Sequence, residues 1–391
     1  MGTSGGAVTS GGAATSGGSA SGGRSSGGST SAGSSSGGSA SGGAASGGGN
    51  AGGGSATGGT ATGSGGSTGG KTVPPSGLPE VGTGNVPQPS GTAGGLKILD
   101  WAGFKGAVSY TLDDALMSQV NTYSMINATG GKVTFYLVQG NDKNNTIWKT
   151  AAMDGHELGN HTAHHCQGDG SGCAWGNYAG TLQKEIEDNT AHIKSAFGVE
   201  GVYTMAAPFG ASQYVQAAPT AHMFINRGVS GETAIAPNDN TNRFSLPCYD
   251  MPNGAGADVF NGVIGKARTN NRWYCFLIHS INTSEGYRQV PIASIVSSIT
   301  AAKTAGDIWV DTVATVGAYW QGQKSVSGVQ PTTAGGNSTW TWTLPADFPP
   351  KKYLRVIVTG GKLSQNGASV PWNAHGYYEI ALDEKSLTLS P

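Results

Sequence analysis

Charge is scarce in this chain and is nowhere concentrated. Of 391 residues 12% are charged, the 22 Lys and Arg nearly balance the 23 Asp and Glu, and the net charge is −1. No basic run or stripe occurs, which removes the electrostatic footprint of a nucleic-acid or anionic-membrane partner. No apolar run reaches membrane-spanning length. The N-terminus lacks the charged and apolar regions of a signal peptide, and Gly6 stands where a myristoylation pattern requires Ser or Thr. Cysteine is limited to Cys166, Cys173, Cys248 and Cys275, with no C-x-x-C pair, so a structural zinc site is not indicated. An even count with a short Gly/Asp/Ser loop between the first two suits an exported protein. The expected pairs are Cys166–Cys173 and Cys248–Cys275, with free buried thiols as the alternative.

The first part of the chain lacks almost every side chain that could build a core. From Met1 to Gly70 only Met1, Val8, Arg24 and Asn50 depart from Gly, Ser, Ala and Thr. Such a segment cannot offset its ordering entropy, and a tether with a reach of roughly 45–50 Å is expected. Pro74, Pro75, Pro79, Pro87 and Pro89 then stiffen it. Residues 1–95 therefore read as a disordered linker, of the kind found behind a removed signal or lipid anchor. A secreted or surface-tethered protein is expected. What remains suffices for one large domain and a small second one.

From Leu96 the pattern alternates between strands and helices. Strands are expected at 106–111, 132–138, 202–206, 223–226, 273–279 and 307–310, and helices at 115–127, 147–153, 181–197 and 291–304. This is the signature of parallel β/α architecture, whose chemistry collects where strands end in loops. After Tyr319-Trp320 no helical signal remains. The expected organisation is a linker over 1–95, a catalytic domain over 96–322 and a small β-rich domain over 323–391. Trp340 and Trp342 share a strand face and read either as a sugar-stacking platform or as the core of that domain. Trp148, Trp175 and Tyr178 read as groove lining or as packing.

Four of the eight histidines fall within Asp154–His165. His161 and His165 have the i, i+4 spacing that puts two imidazoles on one face of a helical turn, and His156 and His164 are neighbours of the pair. His156-Glu157 fails as a zinc-protease motif because Asn160 occupies the position of the second histidine. Asp113 and Asp114 end a strand, where one carboxylate can reach a metal while the other turns toward water. Alternatively, Asp114 caps the following helix. His279 emerges from the apolar run Cys275–Ile278 and needs a partner there. It reads as a structural histidine or as a general acid.

The order Thr-Leu-Asp-Asp, Gly-His-Glu-Leu-Gly-Asn-His-Thr-Ala-His-His, Ala-Pro-Phe-Gly and Phe-Leu-Ile-His resembles the polysaccharide deacetylases, the family 4 carbohydrate esterases with the NodB homology domain. The resemblance covers roughly residues 104 to 320. It implies a distorted (β/α) barrel and a metal-dependent hydrolase that removes acetyl groups from N- or O-acetylated polysaccharide. It also implies Asp113 as catalytic base, His279 as general acid, and Asp114, His161 and His165 as ligands of a divalent metal. Zinc is the expected ion, with cobalt or nickel as alternatives. The resemblance further implies that Pro208 and Phe209 belong to the groove wall, where the backbone N–H of the aromatic residue faces the oxyanion. An acetylated polysaccharide or oligosaccharide is the expected partner, and the protein is expected to be a monomer. Two departures stand out. The arginine that many members place before the third motif is Ala206, and the fourth motif, whose Asp supports the acid histidine, has no clear counterpart. Arg227 and Asp250 are the candidates for these roles. The other reading is a non-catalytic carbohydrate-binding protein on a degenerate deacetylase scaffold.

Overall fold

The computed structural model describes residue 73, residues 76–229, residue 231 and residues 234–391. The tether read from Met1 to Gly70 lies outside them. The β-branched and aromatic runs form parallel strands β1 (Ala107–Leu112), β2 (Thr134–Leu137), β3 (Glu157–Asn160), β4 (Thr204–Ala206), β5 (Ile225–Arg227), β6 (Tyr249–Asp250), β7 (Trp273–Ile278) and β8 (Trp309–Val310). Their order is β5-β4-β3-β2-β1-β7-β6, and β8 pairs with the start of β1, before β2 begins. β1 and β2 are buried along their whole length, which is why they lack the alternation of half-exposed strands. The segment around 246–250 links the two sheet edges. Leu246 exchanges backbone hydrogen bonds with Asn226 and Gly228 beside β5, while Tyr249 and Asp250 pair with Phe276 and Leu277 of β7. The sheet thus curls into a distorted (β/α) barrel.

The helices are α1 (Met117–Ala128), α2 (Thr146–Met153), α3 (Leu182–Phe197), α4 (Tyr214–Thr220), α5 (Ala257–Asn270), α6 (Ile292–Ala305) and α7 (Val313–Ser327). α3 shows how local sequence sets its bounds. The Thr181 side chain accepts from Lys184 N–H, Ile186, Ile193 and Phe197 are buried, and Gly198 ends the helix at φ 73°. α5 and α7 were not foreseen because each carries glycines that weaken the local signal. In α7 those glycines allow close packing. A Cβ at Gly317 would lie 2.2 Å from Ile225, and one at Gly322 would lie 2.5 Å from Leu382. α7 also runs across the boundary drawn between 322 and 323.

The C-terminal residues form two antiparallel sheets. β9 (Thr332–Ala334), β10 (Asn337–Thr341), β12 (Lys362–Gln365), β13 (Ala368–Ser369) and β16 (Ser386–Ser390) make one, in the order β9-β10-β16-β12-β13. The other consists of Lys97–Ile98, β11 (Tyr353–Ile357), β15 (Tyr377–Ala381) and β14 (Trp372–Asn373), in that order. Leu354, Val356 and Leu387 share one core with Trp273, Trp309 and Trp320 of the barrel side. Trp342 is buried in it, and its indole N–H donates to the Leu382 carbonyl, so this residue is core and not a platform. Residues 76–95, expected as linker, lie along the same sheet. Val86 N–H donates to the Ala374 carbonyl, Trp372 Nε1 to the Val86 carbonyl, and Ser76 N–H to Glu379.

Of the expected disulfides, Cys166–Cys173 is formed, whereas Cys248 and Cys275 are free and buried. The Cys248 thiol is instead directed to the Gly228 carbonyl, at 3.3 Å. No helix among the described residues is long and apolar enough to cross a membrane.

His156, a neighbour of the metal-site pair in sequence, is a framework residue. Its Nδ1 accepts from Val133 N–H at 3.1 Å, which leaves Nε2–H to donate to Asn127 Oδ1 at 3.2 Å. Burial, then Lys132, lowers its pKa from 6.5 to about 4. Its contribution to stability is therefore complete above the unfolded pKa of 6.5 and is lost as pH falls toward 4. Integrated over that window it is on the order of 2–3 kcal/mol. In urea unfolding at pH 7 and pH 4.5, His156→Gln should show a smaller acid destabilisation than the parent. An equal acid loss in both proteins would refute this assignment.

Candidate metal centre

Where β1 ends, Asp113 and Asp114 leave the strand in different directions, because Asp114 turns into the left-handed region at φ 77°. It does not cap α1. That helix starts at Met117, and its first N–H groups are capped from another loop by Glu285. His161 follows β3, and His165 lies four residues on. They do not share a helical turn as their spacing suggested. The chain from 161 to 165 is a loop with Thr162 at φ 65° and His165 at φ 56°. Phe209, on the next rim loop, sits at φ 55°. Three non-glycine side chains around one cavity, Asp114, His165 and Phe209, thus hold a backbone conformation that is unfavourable for L-residues, a form of local strain typical of functional sites.

Glu185 of α3 holds the histidine loop in place. This fully buried carboxylate accepts from His164 N–H at 2.7 Å and faces His164 Nδ1 at 3.0 Å, while its carbonyl accepts from Ala163 N–H. His164 is thereby turned away from the ligand pair. The Cys166–Cys173 bridge closes the next loop, and Trp175 beyond it packs edge-on against His165.

The side chains of Asp114, His161 and His165 converge, with one ligand atom from each within 4.8 Å of the others. Asp114 Oδ1 is 3.4 Å from His161 Nε2 and 3.5 Å from His165 Nε2. Such separations would suit the edges of a coordination polyhedron with metal–ligand bonds of about 2.1 Å. His161 Nδ1 lies 2.9 Å from the Ala206 carbonyl, so its proton is placed there and the Nε2 lone pair faces the carboxylate. Burial, and then His161, lowers the His165 pKa to about 3, which keeps that ring neutral. Burial alone would raise the Asp114 pKa, but His161, His279 and His165 outweigh it and bring it to about 2. Asp114 Oδ1 is buried without a hydrogen-bond donor. The convergence of two imidazole Nε2 atoms on an ionised carboxylate oxygen fits a divalent cation. The carboxylates show the same demand for positive charge at His161, whose pKa they raise despite its burial.

Asp113 stands beside this trio, with Oδ2 3.7 Å from His161 Nε2, and is ion-paired with Arg227 NH2. Arg227 is fully buried and is the register partner of Ala206 on the adjacent strand. Arg227, the candidate for the arginine absent at 206, therefore approaches Asp113 from one strand further along. Burial alone would lower the Arg227 pKa, but Asp113 outweighs it and the net shift is upward. Sequence reasoning missed Gln119, whose buried side-chain amide donates to the Asp113 carbonyl at 2.6 Å and to the His279 carbonyl at 3.0 Å. A glutamine facing inward on the first turn of α1 was the available signal.

His279 follows β7, with Nε2 4.0 Å from Asp114 Oδ2. Burial lowers its pKa, and Asp113 and Asp114 partly oppose that shift. Asp250 does not contact it through a hydrogen bond found among the described residues. Asp250 pairs with Arg288 NH1 at 2.8 Å, and burial raises its pKa. Asp113, Asp114, His161, His165, Phe209 and His279 line one cavity of about 400 Å³. Pro208 lies buried behind Phe209, and Gly210 completes the turn at φ 66°, where a Cβ would lie 2.2 Å from Val229.

Residues 103–220 match the polysaccharide deacetylase family model. Among curated proteins, a gellan lyase from Bacillus sp is 32% identical over 122 residues, which is 31% of this chain and 5% of that protein. Among solved structures, a T48 deacetylase with substrate is 18% identical at a TM-score of 0.38, covering 55% of this chain and 91% of the other. A family 4 acetyl xylan esterase from Clostridium thermocellum, solved with a cobalt ion, is 16% identical at a TM-score of 0.37, with 54% and 89% covered. A peptidoglycan deacetylase from Bacillus subtilis is 16% identical at a TM-score of 0.35, with 54% and 90% covered. Over residues 103–220, this chain is similar to the polysaccharide deacetylase family.

Proposed function

We propose that this chain is a metal-dependent hydrolase that removes acetyl groups from an N- or O-acetylated polysaccharide outside the cell. The observation that carries this reading is the convergence of Asp114, His161 and His165 beside the buried Asp113–Arg227 pair. Asp114, His161 and His165 would hold the metal, with zinc the expected ion and cobalt or nickel able to replace it. A divalent ion in that place supplies Lewis acidity to water and to the acetyl carbonyl.

The protein's own groups do the rest. Arg227 orients Asp113 through their buried ion pair, and Asp113 removes a proton from the attacking water. Water attack on the acetyl carbon places negative charge on the carbonyl oxygen, toward which the Phe209 backbone N–H is assigned, with Pro208 fixing the turn. His279 donates a proton to the sugar nitrogen or oxygen as its bond to the acetyl carbon breaks. Gln119 ties the backbone of the base to that of the acid, so the two keep their spacing through the reaction. The disulfide supports a location in an oxidising compartment.

Acetate release from acetylated xylan and acetylated chitooligosaccharide tests this. Chelation by EDTA should abolish it, and zinc or cobalt should restore it. His161→Ala should lower metal affinity by about 100-fold or more and remove turnover with it, since two remaining ligands make a poor site. Substrate binding without acetate release across several metals would overturn the reading.

A further inference from the structure

Six large apolar side chains are exposed among the described residues: Val86, Met117, Met125, Met153, Phe209 and Tyr287. The two aromatic ones, Phe209 at 49% and Tyr287 at 54%, both line the cavity of the metal centre. Each stands edge-on to a histidine of the site. Phe209 lies 4.5 Å from the ring of His165, and Tyr287 lies 5.2 Å from the ring of His279.

The exposure of Tyr287 does not come from a loose loop. The segment from 282 to 289 is tied down on every side. Ser280–Ile281 pairs with Gln289–Val290 as a short parallel ladder. Gly286 N–H donates to Ser280 Oγ at 2.7 Å, and Glu285 accepts from Met117 and Ser118 N–H at 2.9 and 2.8 Å. Arg288 reaches Asp250 and lays its guanidinium 4.9 Å from the Tyr287 ring centre. A loop held this firmly could have turned its one aromatic side chain inward, but it presents that ring to the cavity. Asp250 balances Arg288, so the guanidinium beside the Tyr287 ring is not a free positive charge, which suits a neutral sugar ring.

Position decides which part of a substrate meets it. In acetyl removal the sugar is the leaving group, so the side chain beside the general acid faces the sugar and not the acetyl group. Aromatic faces take up the weakly positive C–H faces of pyranose rings. We propose that Tyr287 is a specificity-determining residue that stacks on a neutral pyranose ring of the acetylated glycan, on the leaving-group side of the site. This rests on the deacetylase reading above.

The test compares Tyr287→Ala, Tyr287→Phe and Tyr287→Trp on an acetylated xylo- or chitooligosaccharide and on glyceryl triacetate, an acetate ester with no ring. Tyr287→Ala should raise KM for the oligosaccharide about tenfold with kcat within about threefold, and the aromatic variants should retain the parent KM. The loss on glyceryl triacetate should be several times smaller. A proportionate loss on both substrates would mean that Tyr287 merely supports His279, and no loss on either would mean that it touches no sugar; each result overturns the inference. Oligosaccharide binding to EDTA-treated protein, followed by calorimetry, keeps the test separate from catalysis. If the parent releases no acetate, the deacetylase reading fails, but weaker binding by Tyr287→Ala still supports the sugar contact. Equal binding by both proteins removes it.

Discussion

Asp113→Asn is expected to lower kcat for acetate release by about 10³-fold, because a neutral amide cannot accept the proton that general-base catalysis requires. The same change has a second consequence that the geometry makes specific. Arg227 is fully buried and its terminal nitrogen is paired with Asp113. Neutralising one member of a buried pair leaves the other charge uncompensated, at a cost of about 3–5 kcal/mol. Loss of activity in the single variant could therefore be attributed to a weakened fold. Pairing Asp113→Asn with Arg227→Met removes the stranded charge. The double variant should regain much of the stability lost, measured by urea unfolding, while acetate release stays at the level of Asp113→Asn. Metal affinity should change little in the single variant, because Asp114, His161 and His165 are intact. Acetate release near the parent rate in either protein would show that Asp113 is not the base.

The other large effect is expected far from the chemistry, at Arg355. This fully buried side chain pairs with Glu379 at 3.0 Å, donates to the carbonyls of Ala102 and Leu78 at 3.0 and 3.2 Å, and lies 4.1 Å from the ring centre of Tyr377. One guanidinium thus ties β11 and β15 of the C-terminal sheet to the turn before β1 and to residues 76–95. Arg355→Ala removes all of these donors and leaves Glu379 facing a cavity, so a loss of about 3–5 kcal/mol is expected in urea unfolding. The segment 76–95 should also become more sensitive to proteolysis, since Leu78 is one of the groups released. A change below about 1 kcal/mol would indicate that apolar packing alone holds this junction. Arg355→Met with Glu379→Leu should lose less than Arg355→Ala, because no charge is then left buried without a partner.

The parallel strands and most of their helices were legible in the sequence because their signals are local. β1 and β2 are short runs rich in β-branched and aromatic residues, β7 is a continuous apolar run, and α3 carries its cap at Thr181 and its stop at Gly198. Elements whose sequence is ambiguous were missed. α5 and α7 hold glycines that only their neighbours explain, and β6 is two residues long with its partner on a distant strand. The linker reading of residues 76–95 did not anticipate their hydrogen bonds to the C-terminal sheet, for a related reason. Their prolines and glycines describe a segment with little structure of its own, and the order it has comes from the C-terminal sheet.

The sequence by itself determined the inventory of this protein: two adjacent carboxylates at a strand end, a cluster of histidines, an apolar strand ending in His279, and a Gly/Ser-rich leader. These are carried by residue types at short spacing and survive without a fold. Tertiary structure alone decided which of them meet. It turned Asp114 and His165 through left-handed backbone toward each other, directed His164 to Glu185, and brought Arg227 across a strand to the place left open at Ala206. It also set Tyr287 at the rim beside His279. Such decisions depend on contacts between residues tens or hundreds of positions apart. No local propensity records them, because their free energy exists only when the barrel has closed.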